Sequence, residues 1–226
     1  MPAGTITLLQ IQERDKERVN VFIDETFALG VSLRTLETQG LHKGKVLDDY
    51  AWTKLVEAEQ MDKAYNAALH FLGARPRSTR EIRDRLRQKD YPDDHIDAAL
   101  ERLRGLGLVN DEAFARFWVE NRQACKPKGA RALKAELQQK GVDRETISQV
   151  VDELTTQEDE HGRALTIARG AARKYASAPD RHAFARKLGA YLQRRGFGFD
   201  AIKPAVDAVW AELRGEAAGD DEGDDA

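Results

Sequence analysis

The chain has 226 residues, 41% of them hydrophobic, with 36 basic and 39 acidic side chains and a net charge of −3 at pH 7. That is enough apolar material for packed cores and excludes a chain disordered throughout. The single cysteine, Cys125, excludes an internal disulfide and a thiolate metal cage, no apolar run approaches the length of a membrane span, and no apolar leader opens the chain, so a cytoplasmic protein is expected.

Residues 1–47 read as a β-rich extension. Thr5-Ile6-Thr7-Leu8-Leu9-Gln10-Ile11 is rich in strand formers, Val19, Val21 and Ile23 recur at period two, and Phe27, Leu29 and Val31 alternate again. Three short strands in a meander follow, too small to stand without a helix packed on one face. Residues 33–39 read as a short helix stopped by Gly40, and Gly44 marks a turn before a helical segment from about Asp48. From there every segment is helical.

Residues 48–110 hold a linker helix and a first three-helix unit, with helices expected near 61–72, 79–89 and 93–104. Ser78-Thr79-Arg80-Glu81 is a capping-box pattern opening the second of these. Tyr91-Pro92-Asp93 should stop one helix and cap the next. Residues 111–159 form a second unit (helices near 111–123, 129–140 and 143–157) and residues 160–215 a third (160–176, 180–195 and 199–213). Residues 216–226 are an acidic, low-complexity tail expected to be disordered.

The units are repeats. Residues 75–103 align without a gap on 126–154 at an offset of 51, and a third copy follows at a further offset of 55. Ile82 and Leu86, Leu133 and Leu137, and Leu188 and Leu192 become equivalent core pairs at helical i, i+4 spacing. Ile96, Leu100 and Leu103 form the matching stripe on a third helix. Asp90, Gly141 and Gly196 share one position after each second helix, where a left-handed residue is wanted. The fold class is therefore mainly α: tandem three-helix repeats forming an elongated, curved array, with a small N-terminal β-meander.

Charge is unevenly spread. Residues 61–215 carry 29 bases against 23 acids, while both flanks are acidic. In unit 1 the bases run Arg75, Arg77, Arg80, Arg83, Arg85, Arg87, Lys89; unit 2 has Lys126, Lys128, Arg131 and Lys134; unit 3 has Arg181, Arg186, Lys187, Arg194 and Arg195. A single such run is an ordinary solvated helix face. Three aligned copies instead form a stripe suited to a polyanion or an acidic protein surface. Arg75, Arg77, Arg80, Arg85, Lys126, Lys128, Arg131, Lys134, Arg194 and Arg195 are the candidate partner-binding residues. The acidic tail could screen that stripe or be inert.

No catalytic constellation is present. The five histidines are scattered, Cys125 beside Lys126 has no assignable base, and Gly196-Phe197-Gly198-Phe199 lacks the strand and the Lys of a phosphate loop. Phe114 and Phe117, at i, i+3, read as core, with Trp118 at its rim; Trp52 and Trp210 read as packing residues. No enzyme, metal or cofactor is expected.

Gly107-Leu108-Val109-Asn110-Asp111-Glu112-Ala113-Phe114-Ala115-Arg116-Phe117-Trp118-Val119-Glu120-Asn121-Arg122, then Lys126-Pro127-Lys128-Gly129, Glu136-Leu137 and Lys140-Gly141-Val142, closely resembles the second repeat of the RecX family. Arg77-Ser78, Glu81-Ile82, Arg85-Leu86 and Lys89-Asp90-Tyr91 is similar to the family's first repeat, with Asp90 where Gly is usual. Arg18-Val19-Asn20-Val21 and Phe27-Ala28-Leu29-Gly30 resemble the extension of longer members. The resemblance covers roughly 5–213 and implies a negative modulator of the RecA recombinase, binding the RecA–DNA filament and inhibiting its recombinase, ATPase and coprotease activities. A monomer contacting RecA, and single- or double-stranded DNA, is expected. The alternative is a direct DNA-binding protein, perhaps a repressor, using helix-turn-helix-like repeats.

Overall fold

A computed structural model describes residues 3–219, with side chains through 215. The chain divides into two compact units between Val109 and Asn110. It is mainly helical, with three tandem three-helix units behind a small antiparallel sheet.

In the first unit, β1 (Gly4–Ile11), β2 (Arg18–Ile23) and β3 (Thr26–Ser32) form the expected meander, and β4 (Val46–Leu47) adds a fourth, two-residue strand beside the start of β1. Period-two alternation cannot reveal a strand of two residues. Asp24 and Glu25, both at positive φ, make the tight β2–β3 turn, and the Asp24 carboxylate accepts from the Thr5 amide at 3.1 Å. Ile6, Val19, Val21, Ile23 and Val31 line one face of the sheet and pack with Leu41, Leu47 and Leu55. The helical cover comes from α1 (Leu33–Thr38) and α2 (Asp49–Leu72). Here the structure corrects the sequence reading. The linker helix from Asp48 and the helix expected at 61–72 are one 24-residue helix, because nothing between Asp49 and Leu72 interrupts the ladder.

α2 also opens the first repeat. With α3 (Thr79–Arg87) and α4 (Asp93–Gly105) it encloses Ile82, Leu86, Ile96, Leu100 and Leu103, all at most 1% exposed. Ser78 Oγ accepts from the Glu81 amide, as the capping-box pattern requires. The N-cap of α4 falls on Pro92, which cannot cap with its side chain; Asp93 sits in the first turn and bonds Arg87 at 2.8 Å.

The second unit holds two more repeats. α5 (Asp111–Cys125), α6 (Ala130–Gln139) and α7 (Arg144–Leu154) surround Phe114, Leu133, Leu137 and Val151. Phe114 is core, whereas Phe117 is only half-buried. α8 (Gln157–Ala172), a short 3-10 turn (Arg173–Tyr175), α9 (Arg181–Arg194) and α10 (Phe199–Gly219) surround Phe184, Leu188 and Leu192. α8 begins earlier than expected, at a Thr156 cap. The α10 backbone runs on to Gly219, past the expected end at 213. The rest of the acidic tail lies outside the described residues.

Asp90 (φ 61°), Gly141 (φ 81°) and Gly196 (φ 88°) are all left-handed, as their shared position requires.

Candidate functional site

The ten candidate cations fall into two groups, one in each compact unit. In the first repeat, Arg75 is clamped by both oxygens of Glu81, at 2.9 and 3.0 Å. The Arg77 guanidinium lies 3.9 Å from the Phe71 ring centroid, and burial together with the nearby Arg75 charge lowers it from its usual value. Arg85 is exposed, with its guanidinium 5.8 Å from the same ring. Arg80 is exposed and contacts Asp84 at 3.7 Å. Phe71 thus gathers Arg77 and Arg85, and its role was not visible in the sequence.

In the second repeat the organiser is Glu136 on α6. Its carboxylate accepts from Trp118 Nε1 and Arg122 Nε, both at 2.8 Å, and from Lys128 Nζ. Burial would raise the Glu136 carboxyl, but the hydrogen bonds from Lys128, Arg122 and Trp118 outweigh it and hold the group below the usual carboxylate range. Arg122 and Lys140 lie over the Trp118 ring at 4.5 and 4.8 Å. The i, i+4 spacing of Trp118 and Arg122 was the available signal for this cluster. Lys134 is committed elsewhere: it donates to Asp152 on α7 at 2.7 Å, and that bond lowers the Asp152 carboxyl.

The remaining cations meet where the second and third repeats touch. The segment ahead of α6 lies against the turn between α9 and α10. Gly129 N donates to Arg195 O at 3.0 Å, and Arg131 N donates to Gly196 O at 3.3 Å. Ala130 N donates to Glu160 Oε1, from α8, at 2.9 Å. The backbones are too close for side chains: a Cβ on Gly129 would lie 2.4 Å from the Gly196 carbonyl, and one on Gly196 would lie 2.3 Å from Ala132 Cβ. This contact brings Lys126, Lys128 and Arg131 into one neighbourhood with Arg194 and Arg195. Arg195 lies over Tyr191 at 5.0 Å, and Lys128 is held by Glu136. Lys126, Arg131 and Arg194 are exposed and make no ion pair among the described residues. The sequence placed these cations in equivalent regions of the repeats but gave no sign of the glycine-to-glycine contact.

Among the described residues no group of three or more His, Cys, Asp or Glu could hold a metal ion, and no helix is long and apolar enough to cross a membrane. What the arrangement can do chemically is present guanidinium and ammonium groups from a rigid backbone to an anionic surface.

The comparisons agree with this anatomy. Four family models match in tandem: the Regulatory protein RecX N-terminal domain over 4–48, and the first, second and third RecX three-helix domains over 64–103, 110–151 and 158–206. The chain is 31% identical over 204 residues to "Regulatory protein RecX" of Bacillus subtilis, covering 90% of this chain and 76% of the relative. It is 33% identical over 211 residues to that of Listeria monocytogenes, covering 92% and 77%. A crystal structure of regulatory protein RecX superposes with a TM-score of 0.78 at 27% identity, covering 90% of this chain and 99% of that one. RecX from Lactobacillus salivarius gives a TM-score of 0.60 at 29% identity, covering 70% and 98%.

Proposed function

We propose that this chain, which belongs to the RecX family, is a negative modulator of RecA that binds the RecA–DNA filament through cations of its repeats and inhibits recombinase, ATPase and coprotease activity. The observation that carries the reading is the junction of the second and third repeats. Lys126, Arg131 and Arg194 are exposed there and make no ion pair among the described residues, on a backbone fixed by three hydrogen bonds from one repeat to the other. Unpaired cations keep their full attraction for an anionic partner, while Arg75, Lys128 and Lys134 already spend theirs on Glu81, Glu136 and Asp152. The contact set proposed from the sequence therefore contracts: Arg85, Lys126, Arg131, Arg194 and Arg195, without an ion pair among the described residues, and Arg80, whose 3.7 Å contact with Asp84 is solvent-exposed, are the proposed filament contacts, while Arg75, Lys128 and Lys134 are held by carboxylates and Arg77 by Phe71.

The test is the double substitution Arg131→Glu with Arg194→Glu. It should weaken inhibition of RecA ATPase about tenfold, which needs only ~1.4 kcal/mol, with an unchanged circular dichroism spectrum. Lys134→Glu, at an already paired cation, should weaken inhibition far less. Full inhibition by the folded double variant overturns this surface. Direct DNA binding is the second reading, since the same exposed cations suit phosphates. Loss of affinity for bare DNA with inhibition intact would assign the junction to DNA.

A further inference from the structure

α8 and α10 leave the junction side by side and run the same way. Glu160, in the first turn of α8, reaches the segment ahead of α6, and that segment touches Gly196, just before α10 begins at Phe199. Further along, Arg169 of α8 donates to Glu212 of α10 at 2.6 Å. One turn beyond that pair, Arg173 and Lys174 of the 3-10 turn stand level with residue 216 on α10. The part of the third repeat remote from the junction is therefore built from the end of α8, the start of α9 and the end of α10.

Its charges do not balance. Arg169, Arg173, Lys174, Arg181 and Arg214 lie there with Asp180, Asp207, Glu212 and Glu216. Every carboxylate whose side chain is described is engaged. Glu212 is held by Arg169 and Asp207 by Arg181, each at 2.6 Å. Asp180 is the N-cap of α9 and accepts from the Ala183 amide at 2.7 Å. Arg173 and Lys174 are exposed and make no ion pair among the described residues. Arg214 is exposed too, its guanidinium 4.9 Å from the Trp210 ring centroid. These three cations are left without a described carboxylate.

The chain carries the matching acids beside them. Residues 220–226 hold Asp220, Asp221, Glu222, Asp224 and Asp225 and no base. They follow Gly219, less than one helical turn past the level of Arg173. Fully extended, this segment spans at most ~25 Å. α10 carries Gly219 about 30 Å from Phe199, so the segment stops short of the junction cations, while Arg173, Lys174 and Arg214 stand where it begins.

We infer that the acidic segment 220–226 docks on Arg173, Lys174 and Arg214 of its own chain, an internal polyanion held by charge. Reach and sign of charge select this occupant: five carboxylates with no base among them begin beside three cations that no described carboxylate satisfies. An outside polyanion must displace the segment to gain this part of the repeat. The surface is separate from the junction and independent of the reading given to it.

The test uses the full isotope-labelled chain with Ala226→Cys carrying a nitroxide and Cys125→Ser removing the native thiol. The amides of Arg173, Lys174 and Tyr175 should be broadened at ~0.15 M salt and recover at ~1 M, as the screening length falls from ~8 to ~3 Å. Arg173→Gln with Lys174→Gln should bring the same recovery at the lower salt. Both positions are exposed, unchanged shifts elsewhere report an intact fold, and the salt series needs no such variant. Broadening indifferent to salt and to the double substitution would mean a tethered segment that does not dock, and overturns the proposal. Broadening centred on Lys126, Arg131 and Arg194 overturns it as well. So does broadening in an isotope-labelled chain without the nitroxide when spin-labelled chain is mixed in, because the docked segment would then belong to a second copy.

Discussion

α3 and α6 occupy the same place in successive repeats, yet they are started differently. Ser78 is the N-cap of α3 and caps it from within the repeat, its Oγ accepting from the Glu81 amide at 3.2 Å. Gly129 stands at the equivalent position of α6 and has no side chain to cap with. There the third repeat supplies the acceptors, Glu160 for the Ala130 amide and the Gly196 carbonyl for the Arg131 amide. The first four amides of any helix lack internal partners. One repeat meets that need within its own turn, the next by borrowing, and the borrowing leaves no room for a Cβ. A serine is thus the better residue at 78 and the wrong one at 129, though the repeat register treats the two as equals.

Three measurements can break or sharpen this contrast. The largest effect should come where the two repeats agree. Leu86→Ala and Leu137→Ala remove equivalent side chains at most 1% exposed, and each should cost ~2–5 kcal/mol in urea unfolding. A Leu137→Ala protein that unfolds like the parent would break the equivalence of the repeats. Next comes the exchange of caps. Gly129→Ser should destabilise by ~1–3 kcal/mol through overpacking against Gly196, although serine is an excellent N-cap. The reciprocal Ser78→Gly should cost only a few tenths of a kcal/mol, about what glycine costs at an N-cap. Equal costs would mean the two helices start alike. The last is a pH dependence at Glu136 in the second repeat. Glu136 is held below its ordinary pKa, so its contribution is complete above that ordinary value, ~4.3, and is lost as pH falls through the lower folded-state value. Glu136→Gln should cost about 1 kcal/mol at pH 7 and nothing once the parent carboxylate is protonated. Arg85 stands at the equivalent position of the first repeat, so that position holds no carboxylate to titrate.

Much of this could be read from the sequence because it depends on near neighbours. The core pairs Ile82/Leu86, Leu133/Leu137 and Leu188/Leu192 follow from helical spacing, and the left-handed turns at Asp90, Gly141 and Gly196 follow from a shared position. What could not be read depends on groups far apart in the chain. Whether Lys134 is available depends on Asp152, and whether Lys128 is depends on Glu136. Glu59 and Asp62 look like ordinary surface acids on a charged helix; only the meeting of Arg18, Arg34 and Arg102 shows that they are buried. The separate helices expected on either side of residue 60 fused because a charged run without glycine or proline does not stop a helix.

The borrowed cap also has a consequence in time. During synthesis α3 can close as soon as Glu81 follows Ser78. α6 must wait for Glu160, 30 residues beyond Ala130, and then longer for Gly196. At ~5–20 residues per second the first interval alone lasts roughly 2–6 s. A nascent chain holding only two repeats therefore carries a helix whose opening amides are still served by water, and its second repeat is complete only when the third arrives.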